Sequence, residues 1–260
     1  MKKITTEQII RSKNWDKLEP QVSIIISNYN YSKFIRDAFY SCIFQDVELP
    51  IEIFIIDDCS TDDSNASYIR DMLLTSNVRN RLTCGIFLDK NIGFSAVNNL
   101  GMSMSRTPYN VILCGDDYLF PNYVRETFAR FQTNCIPNLA LVWSLWKGKL
   151  SGLSNIIQKG WKKDGLKGGN MIPATTMLKK EAVERVGGWR EGLRLHADLD
   201  LWLRLAEHYD FYCIEKYLWD YREHNRQKSV SKQGVLGKHL GWVLKNWKTG
   251  YEDIWNEQPK

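Results

Sequence analysis

The sequence predicts an α/β protein in which a mostly parallel, Rossmann-like sheet is flanked by helices on both faces, forming one large domain of two abutting halves. Three observations predict it. Four short apolar runs rich in β-branched residues, VSIIIS (22–27), IEIFII (51–56), CGIFL (84–88) and YNVILC (109–114), have the length and continuity of strands covered on both sides. Segments with apolar residues at helical spacing lie between them. Strands alternating with helices connect most simply as parallel neighbours with crossovers on the sheet faces.

Each element follows in order. The first run ends at the polar NYNYS, after which Phe34, Ile35, Ala38, Phe39, Cys42 and Ile43 recur at three- and four-residue steps, the stripe of an amphipathic helix. Pro50 separates that helix from the second strand. STDDSN (60–65) then caps a helix through Tyr68 to Leu74, CGIFL forms the third strand, and the segment from Phe94 to Met104 reads as a helix before the fourth strand.

Composition narrows the function classes. The chain has 260 residues, enough for a sizeable core, and 43% hydrophobic with 12% aromatic residues is an ordinary globular composition. The six cysteines, at 42, 59, 84, 114, 135 and 213, form no C-x-x-C pair, which argues against a zinc module or a disulfide framework and for a reducing compartment. No apolar run approaches the roughly 20 residues of a membrane span. The opening MKKITTEQIIRSKNW has no signal-peptide core, so a cytoplasmic location is expected, at most peripheral at the inner face of the membrane. Net charge is +5 with both signs interspersed, which disfavours nucleic acid as a partner.

Two strands end on paired acids. IEIFII stops at Asp57 and Asp58, and the run through Leu113 stops at Gly115, Asp116 and Asp117. In open parallel sheets ligands collect beyond the carboxyl ends of the strands. Ser27 to Asn30, Asp57 to Ser60 and Gly115 to Asp117 would therefore open on one edge. Successive side chains of an extended segment point opposite ways, so the two acids of each pair should have different partners. Carboxylates converging on one crevice suit a hard divalent cation, Mn2+ or Mg2+, bound together with substrate phosphates. The plainer alternative is that these acids form turns or cap helices. The turn SNYNYS has no G-x-G-x-x-G, and the chain has neither a P-loop nor a G-x-S-x-G elbow, which disfavours a dinucleotide dehydrogenase, a P-loop ATPase and an α/β-hydrolase.

VSIIISNYNYSKFIRDAF, IEIFIIDDCSTDDS, DKNIGFSAVNNLGM, VILCGDDYLFP and HADLDLWLRL, in this order over roughly residues 20 to 230, resemble glycosyltransferase family 2 and its GT-A fold. The resemblance implies an inverting enzyme that moves a sugar from a UDP- or dTDP-sugar to a hydroxyl of a saccharide or lipid-linked saccharide, in bacterial surface polysaccharide or glycolipid assembly. It implies a nucleotide-sugar-binding half at 21–120 and an acceptor-binding, catalytic half at 121–230, between an N-terminal helical extension (1–20) and a C-terminal helical tail (231–260). Asp58 matches the position that contacts the base, with Ser27, Tyr29, Asn91 and Asp116 as further nucleotide contacts. Asp116 and Asp117 match the metal-binding motif written DxD, and Asp198 matches the general base.

The departures are specific. Cys114 stands where many relatives have the first acid of D-x-D-D, Asn98 where an arginine is common, and Ala197 where an acid precedes the base. Those at 114 and 197 give weight to a rival reading, a catalytically inactive protein of this fold that binds sugar nucleotides. A nucleotidyltransferase is a weaker rival, because SNYNYS is neither glycine-rich nor basic.

Within HADLDLWLRLAEHY, His196, Asp200, Arg204 and His208 form a polar stripe, and Asp200 with Arg204 is placed for a structural i, i+4 ion pair. YLWDYREHNRQKSVS resembles the C-terminal segment of the family, in which His224 could ligate the metal or touch the diphosphate, or simply be solvated, and Arg222 could pair with phosphate oxygens. Trp189, in the GGW turn, could stack on a sugar or simply pack. The tail mixes Trp242, Val243, Trp247, Tyr251 and Ile254 with lysines; packing on the domain is favoured over contact with a membrane surface.

Overall fold

The computed structural model describes residues 8–63, 66–75, 78, 80–133, 135–148, 163–193, 195–224, 233–249 and 257–259. The four predicted strands are present as β2 (Val22–Asn28), β3 (Ile51–Asp57), β4 (Arg81–Phe87) and β5 (Tyr109–Cys114), with β1 (Ile9–Arg11) before them. Between them run α1 (Ile35–Ile43), α2 (Ala66–Thr75) and α3 (Phe94–Met104). The second half adds β6 (Tyr118–Leu119), α4 (Tyr123–Gln132), β7 (Leu139–Lys147), a 3-10 turn (Lys163–Gly168), β8 (Met177–Lys179), α5 (Lys180–Arg185), α6 (Ala197–Ala206), β9 (Asp210–Asp220) and α7 (Gln233–Asn246).

Among the described residues, all nine strands belong to one sheet in the order β1-β4-β3-β2-β5-β8-β7-β9-β6. The central four are parallel, as the alternation of strands and helices requires, and β7 is parallel to β9; β1, β8 and β6 pair antiparallel with their neighbours. The uninterrupted apolar runs are buried along their length: Ile24, Ile25, Ile26, Ile53, Phe54 and Ile55 have no exposed surface. Gly101 of α3 lies against the sheet, where an added Cβ would fall 2.5 Å from Ile25 Cγ2 and 3.0 Å from Ile56 Cδ1, so only glycine permits this approach.

The N-terminal extension departs from expectation. Ile9–Arg11, expected to be helical, is a strand added antiparallel to the edge of β4, with Ile10 opposite Gly85. Three residues are too few to show a period, and the open edge of β4 offers backbone partners that a lone turn of helix lacks. The first seven residues of that extension lie outside the described residues.

The strand ends opposite the site are fixed by a buried polar network. Glu52, an acid inside an apolar run, accepts from Ser23 Oγ (2.5 Å), the Arg106 backbone N–H (2.7 Å) and Arg106 Nε (2.9 Å), and Arg106 lies over Trp15. Of the polar stripe along α6, Asp200 and Arg204 are likewise interior, while His208 is exposed. Asp200 accepts from Arg204 (2.7 and 3.0 Å) and from Arg190 (3.1 Å), and Arg204 also donates to the Val186 carbonyl, which fixes α6 against the turn after α5.

The tail turns back onto the second half. His239 and Val243 of α7 are fully buried, Arg190 donates to the Trp247 carbonyl, and Gln258 donates to the Gly192 carbonyl. Tyr251 and Ile254 lie outside the described residues. Among the described residues, no helix is long and apolar enough to cross a membrane.

Candidate active site

The parallel register brings three polar strand ends together: Ser27 pairs with both Ile56 and Cys114, and Asn28 with Asp57. The acids of the first pair do point apart. Asp57 accepts from Asn28 Nδ2 (2.7 Å), Ser60 Oγ (2.6 Å) and the Ser60 backbone N–H (3.1 Å), so it builds the turn. Burial raises its carboxyl above the usual range, and the hydrogen bonds from Ser60 and Asn28 oppose the shift. Asp58 turns to the loop between β4 and α3, accepting from the Ile92 (2.6 Å) and Gly93 (2.9 Å) backbone N–H groups. Asn91 Nδ2 closes the same contact by donating to the Asp58 carbonyl (3.2 Å). Both of these predicted nucleotide contacts therefore tie the β4–α3 loop to β3. Ser27 is nearly buried, while Tyr29 is 43% exposed at the rim.

The second pair lies at the end of β5, with β2 between it and the first. Gly115 donates to the Ser27 carbonyl (2.9 Å), and a Cβ there would meet that oxygen at 3.1 Å and the Tyr31 ring at 3.2 Å, so a side chain would have to push its neighbours aside. Asp116 and Asp117 are both nearly buried. The Cys114 sulfur and one oxygen of each acid lie within 4.8 Å of one another. His224 Nε2 is 3.0 Å from Asp116 Oδ2, with its ring stacked on Phe34 (4.6 Å), and Tyr31 is hydrogen-bonded to Asp116 as well.

Arg222 is spent on this turn rather than left open to the crevice. It donates to the carbonyls of Phe34, Asp116 and Asp117 and to Asp37 Oδ2 (2.8 Å), and its backbone N–H reaches Asp117 Oδ1 (3.2 Å).

Electrostatics show what the cluster lacks. Burial and then Asp116 hold the Asp117 carboxyl well above the usual range; burial and the same two acids raise the Cys114 thiol and, with Cys114 itself, the Tyr31 phenol. Acidic groups are thus desolvated together, and only part of their charge is offset by Arg222. Two hard carboxylates in such a place fit a divalent cation such as Mn2+ or Mg2+. Cys114 gives the cluster a softer third atom than the acid common at that position.

Asp198 stands at the second residue of α6, behind His196, whose positive φ (54°) starts the helix. Its Oδ2 accepts from Asn170 Nδ2 (2.6 Å) and its Oδ1 from the Leu199 N–H (2.9 Å). Burial raises its carboxyl, opposed by Leu199, His196 and Asn170. Asp198 also acts electrostatically on Cys114, helping to raise its thiol.

Other predicted contacts fall elsewhere. Trp189 is buried between Phe94 (5.3 Å) and Trp202 (5.6 Å), so it packs. Asn99 pins the turn there, accepting from the Trp189 N–H (2.8 Å) and donating to its carbonyl (2.7 Å). Asn98 is fully buried, and among the described residues neither amide atom has a hydrogen-bond partner. Sequence reasoning did not single out Tyr31 or Asn170. Tyr31 lay inside the quoted NYNYS, but nothing in the GGN preceding MIP marks an asparagine that reaches an acid 28 residues on.

The fold and this cluster together define a class: an α/β domain with an acidic, cation-competent crevice at the carboxyl edge of its parallel strands. The chain belongs to glycosyl transferase family 2, whose sequence profile matches residues 23–187. The chondroitin synthase of Escherichia coli is 27% identical over 224 residues, covering 84% of this chain and 31% of that protein, so the chain spans less than a third of that relative. The putative teichuronic acid biosynthesis glycosyltransferase TuaG of Bacillus subtilis is 24% identical, covering 84% of each. Among solved structures, Staphylococcus aureus TarS with UDP-GlcNAc superposes with a TM-score of 0.63 at 15% identity, over 82% of this chain and 61% of that one. The mannosyltransferase PcManGT of Pyrobaculum calidifontis, in complex with GDP-Man and Mn2+, also gives 0.63, at 16% identity over 94% of this chain and 72% of that one. These two likenesses establish the GT-A architecture.

Proposed function

We propose that the protein is an inverting, metal-dependent glycosyltransferase that moves a sugar from a nucleoside-diphosphate sugar to a hydroxyl of a saccharide or lipid-linked saccharide. The observation that carries this reading is the buried cluster of Cys114, Asp116 and Asp117 at the carboxyl edge of the parallel strands, with the charge of Asp198 from the second half acting on Cys114. An acceptor hydroxyl is a weak nucleophile, so Asp198 takes its proton as the new bond forms. Its two existing hydrogen bonds aim the carboxylate, and its acceptor capacity is not exhausted by them. With one base and attack opposite the leaving group, no covalent sugar intermediate is needed. Asp116 and Asp117 would hold the cation, with His224 against Asp116, and when bound it supplies charge stabilisation for the departing diphosphate. Tyr31, Arg222 and Gly115 keep the acid turn in place. Ser27, Tyr29 and the loop tied by Asp58 and Asn91 form the nucleotide side.

Relatives named for chondroitin and teichuronic acid synthesis support a role in polysaccharide assembly, and neighbours solved with UDP-GlcNAc and with GDP-Man and Mn2+ support a nucleotide-sugar donor and manganese. Thermal shift with UDP, dTDP and GDP, each with and without Mn2+, identifies the nucleotide, because a ligand that binds only the folded state raises its melting temperature. Asp198→Asn should keep that shift and lose transfer; wild-type turnover in this variant would remove Asp198 from the mechanism. The rival reading, a binder without catalysis, rests on Cys114 and Ala197. Mn2+-dependent release of the nucleoside diphosphate from a sugar nucleotide by the purified protein argues against it.

A further inference from the structure

The segment from Lys163 to Thr176 brings a second polar group to the base. After the 3-10 turn, Gly169 takes φ +148°, a region that side chains disfavour, and the chain then presents Asn170 to Asp198. Trp202 Nε1 of α6 donates to the Ile172 carbonyl (3.1 Å), so the segment is tied to the helix that carries Asp198 at two points. An ionised carboxylate only accepts, so the amide nitrogen of Asn170 must be the atom that faces it. The other amide atom, Asn170 Oδ1, is buried, and among the described residues no hydrogen-bond donor reaches it. A buried acceptor left unpaired is unfavourable. Within one amide group of the base, that oxygen is suited to a hydroxyl donor that arrives with substrate.

We infer that Asn170 is a positioning residue for Asp198 whose free Oδ1 receives a second hydroxyl of the saccharide acceptor, so that the site takes sugars with a free hydroxyl beside the attacking one. This rests on the reading of Asp198 as the base. One amide then does two things: its nitrogen fixes the direction of the carboxylate, and its oxygen fixes the ring that carries the nucleophile. A vicinal diol offers both donors on one rigid ring, whereas an acceptor with an isolated hydroxyl leaves Oδ1 unpaired. A site built around a hydrogen bond rejects the analogue that lacks the hydroxyl more strongly than an apolar pocket would.

The test uses the full chain with Mn2+, and UDP-N-acetylglucosamine, UDP-glucose and GDP-mannose as donors. Methyl β-glucopyranoside, methyl β-galactopyranoside and their monodeoxy derivatives serve as acceptors. Wild type should prefer the parent sugar over the derivative lacking the neighbouring hydroxyl by at least about tenfold in kcat/KM. Asn170→Ala should bring that ratio close to one and lower kcat on both. Asn170→Asp keeps an oxygen but loses the donor, so it should retain the preference and lose kcat. Circular dichroism and melting temperature show that each variant is folded, and the ratio between two acceptors is insensitive to partial loss of active protein. Wild-type kcat and preference in Asn170→Ala, with Asp198→Asn inactive, would overturn this inference alone. An active Asp198→Asn, or no nucleotide release from any donor by wild type, would overturn the proposed reaction and this inference with it.

Discussion

Asp117→Asn separates stability from function at the acid turn. Asp117 is 3% exposed, its neighbour Asp116 lies with it in a cluster whose ligand atoms are no more than 4.8 Å apart, and burial followed by Asp116 holds its carboxyl well above the usual range. Two unit charges at that separation repel by about 3.5 kcal/mol at an effective dielectric constant near 20. Protonation of Asp117 relieves part of this, so the net gain from removing the charge should be about 1–3 kcal/mol, or roughly 2–10 °C in Tm for a chain of this size. Asparagine keeps the oxygen that accepts from the Arg222 N–H, so no hydrogen bond need be lost.

The sign of the pH dependence is fixed. A carboxyl raised on folding favours the folded state while protonated in both states, and that advantage is lost as pH rises from the unfolded value, about 3.9, through the folded one. The variant should therefore match wild type near pH 3.5 and exceed it at pH 8. Melting curves in EDTA and in Mn2+ provide the assay. In EDTA at pH 8 the variant melts higher; Mn2+ raises wild type, by about 2.7 kcal/mol at a hundredfold excess over Kd, and leaves the variant nearly unmoved. A variant less stable than wild type at pH 8 in EDTA, or one that responds to Mn2+ like wild type, would refute the reasoning.

Two further outcomes test the framework around the site. Arg222→Ala removes the donors that hold the Phe34, Asp116 and Asp117 carbonyls and should cost about 2–3 kcal/mol in urea unfolding while weakening Mn2+ binding by calorimetry; Arg222→Lys should not restore either. Gly101→Ala drives a methyl against Ile25 and Ile56 and should lower stability by about 1–3 kcal/mol while the Mn2+ response per folded molecule stays unchanged.

Much of the first half was legible because its signals are local. A run such as VSIIIS is buried on both faces wherever it is placed, and its end must face the ligand edge of a parallel sheet. The opposite pointing of adjacent acids was legible as well: Asp57 turns to Asn28 and Ser60, and Asp58 to the Ile92–Gly93 loop. The bland reading of such acids as turn formers holds for Asp57. The strand at Ile9–Arg11 was not legible, since its conformation comes from the open edge of β4 rather than from its own three residues.

By itself, the sequence determined the layered fold and the set of acids at the strand ends, because strand burial and side-chain alternation repeat over a few residues and need no distant partner. Tertiary structure alone decided how those acids are held. Arg222 grips the Asp116 turn from 106 positions away, Asn170 reaches Asp198 across 28, and Asp58 spends its oxygens on backbone N–H groups more than 30 residues on. Hydrogen-bond partners of this kind are chosen by folding geometry, in which any of many polar side chains could have met the same need, so no local pattern records the choice.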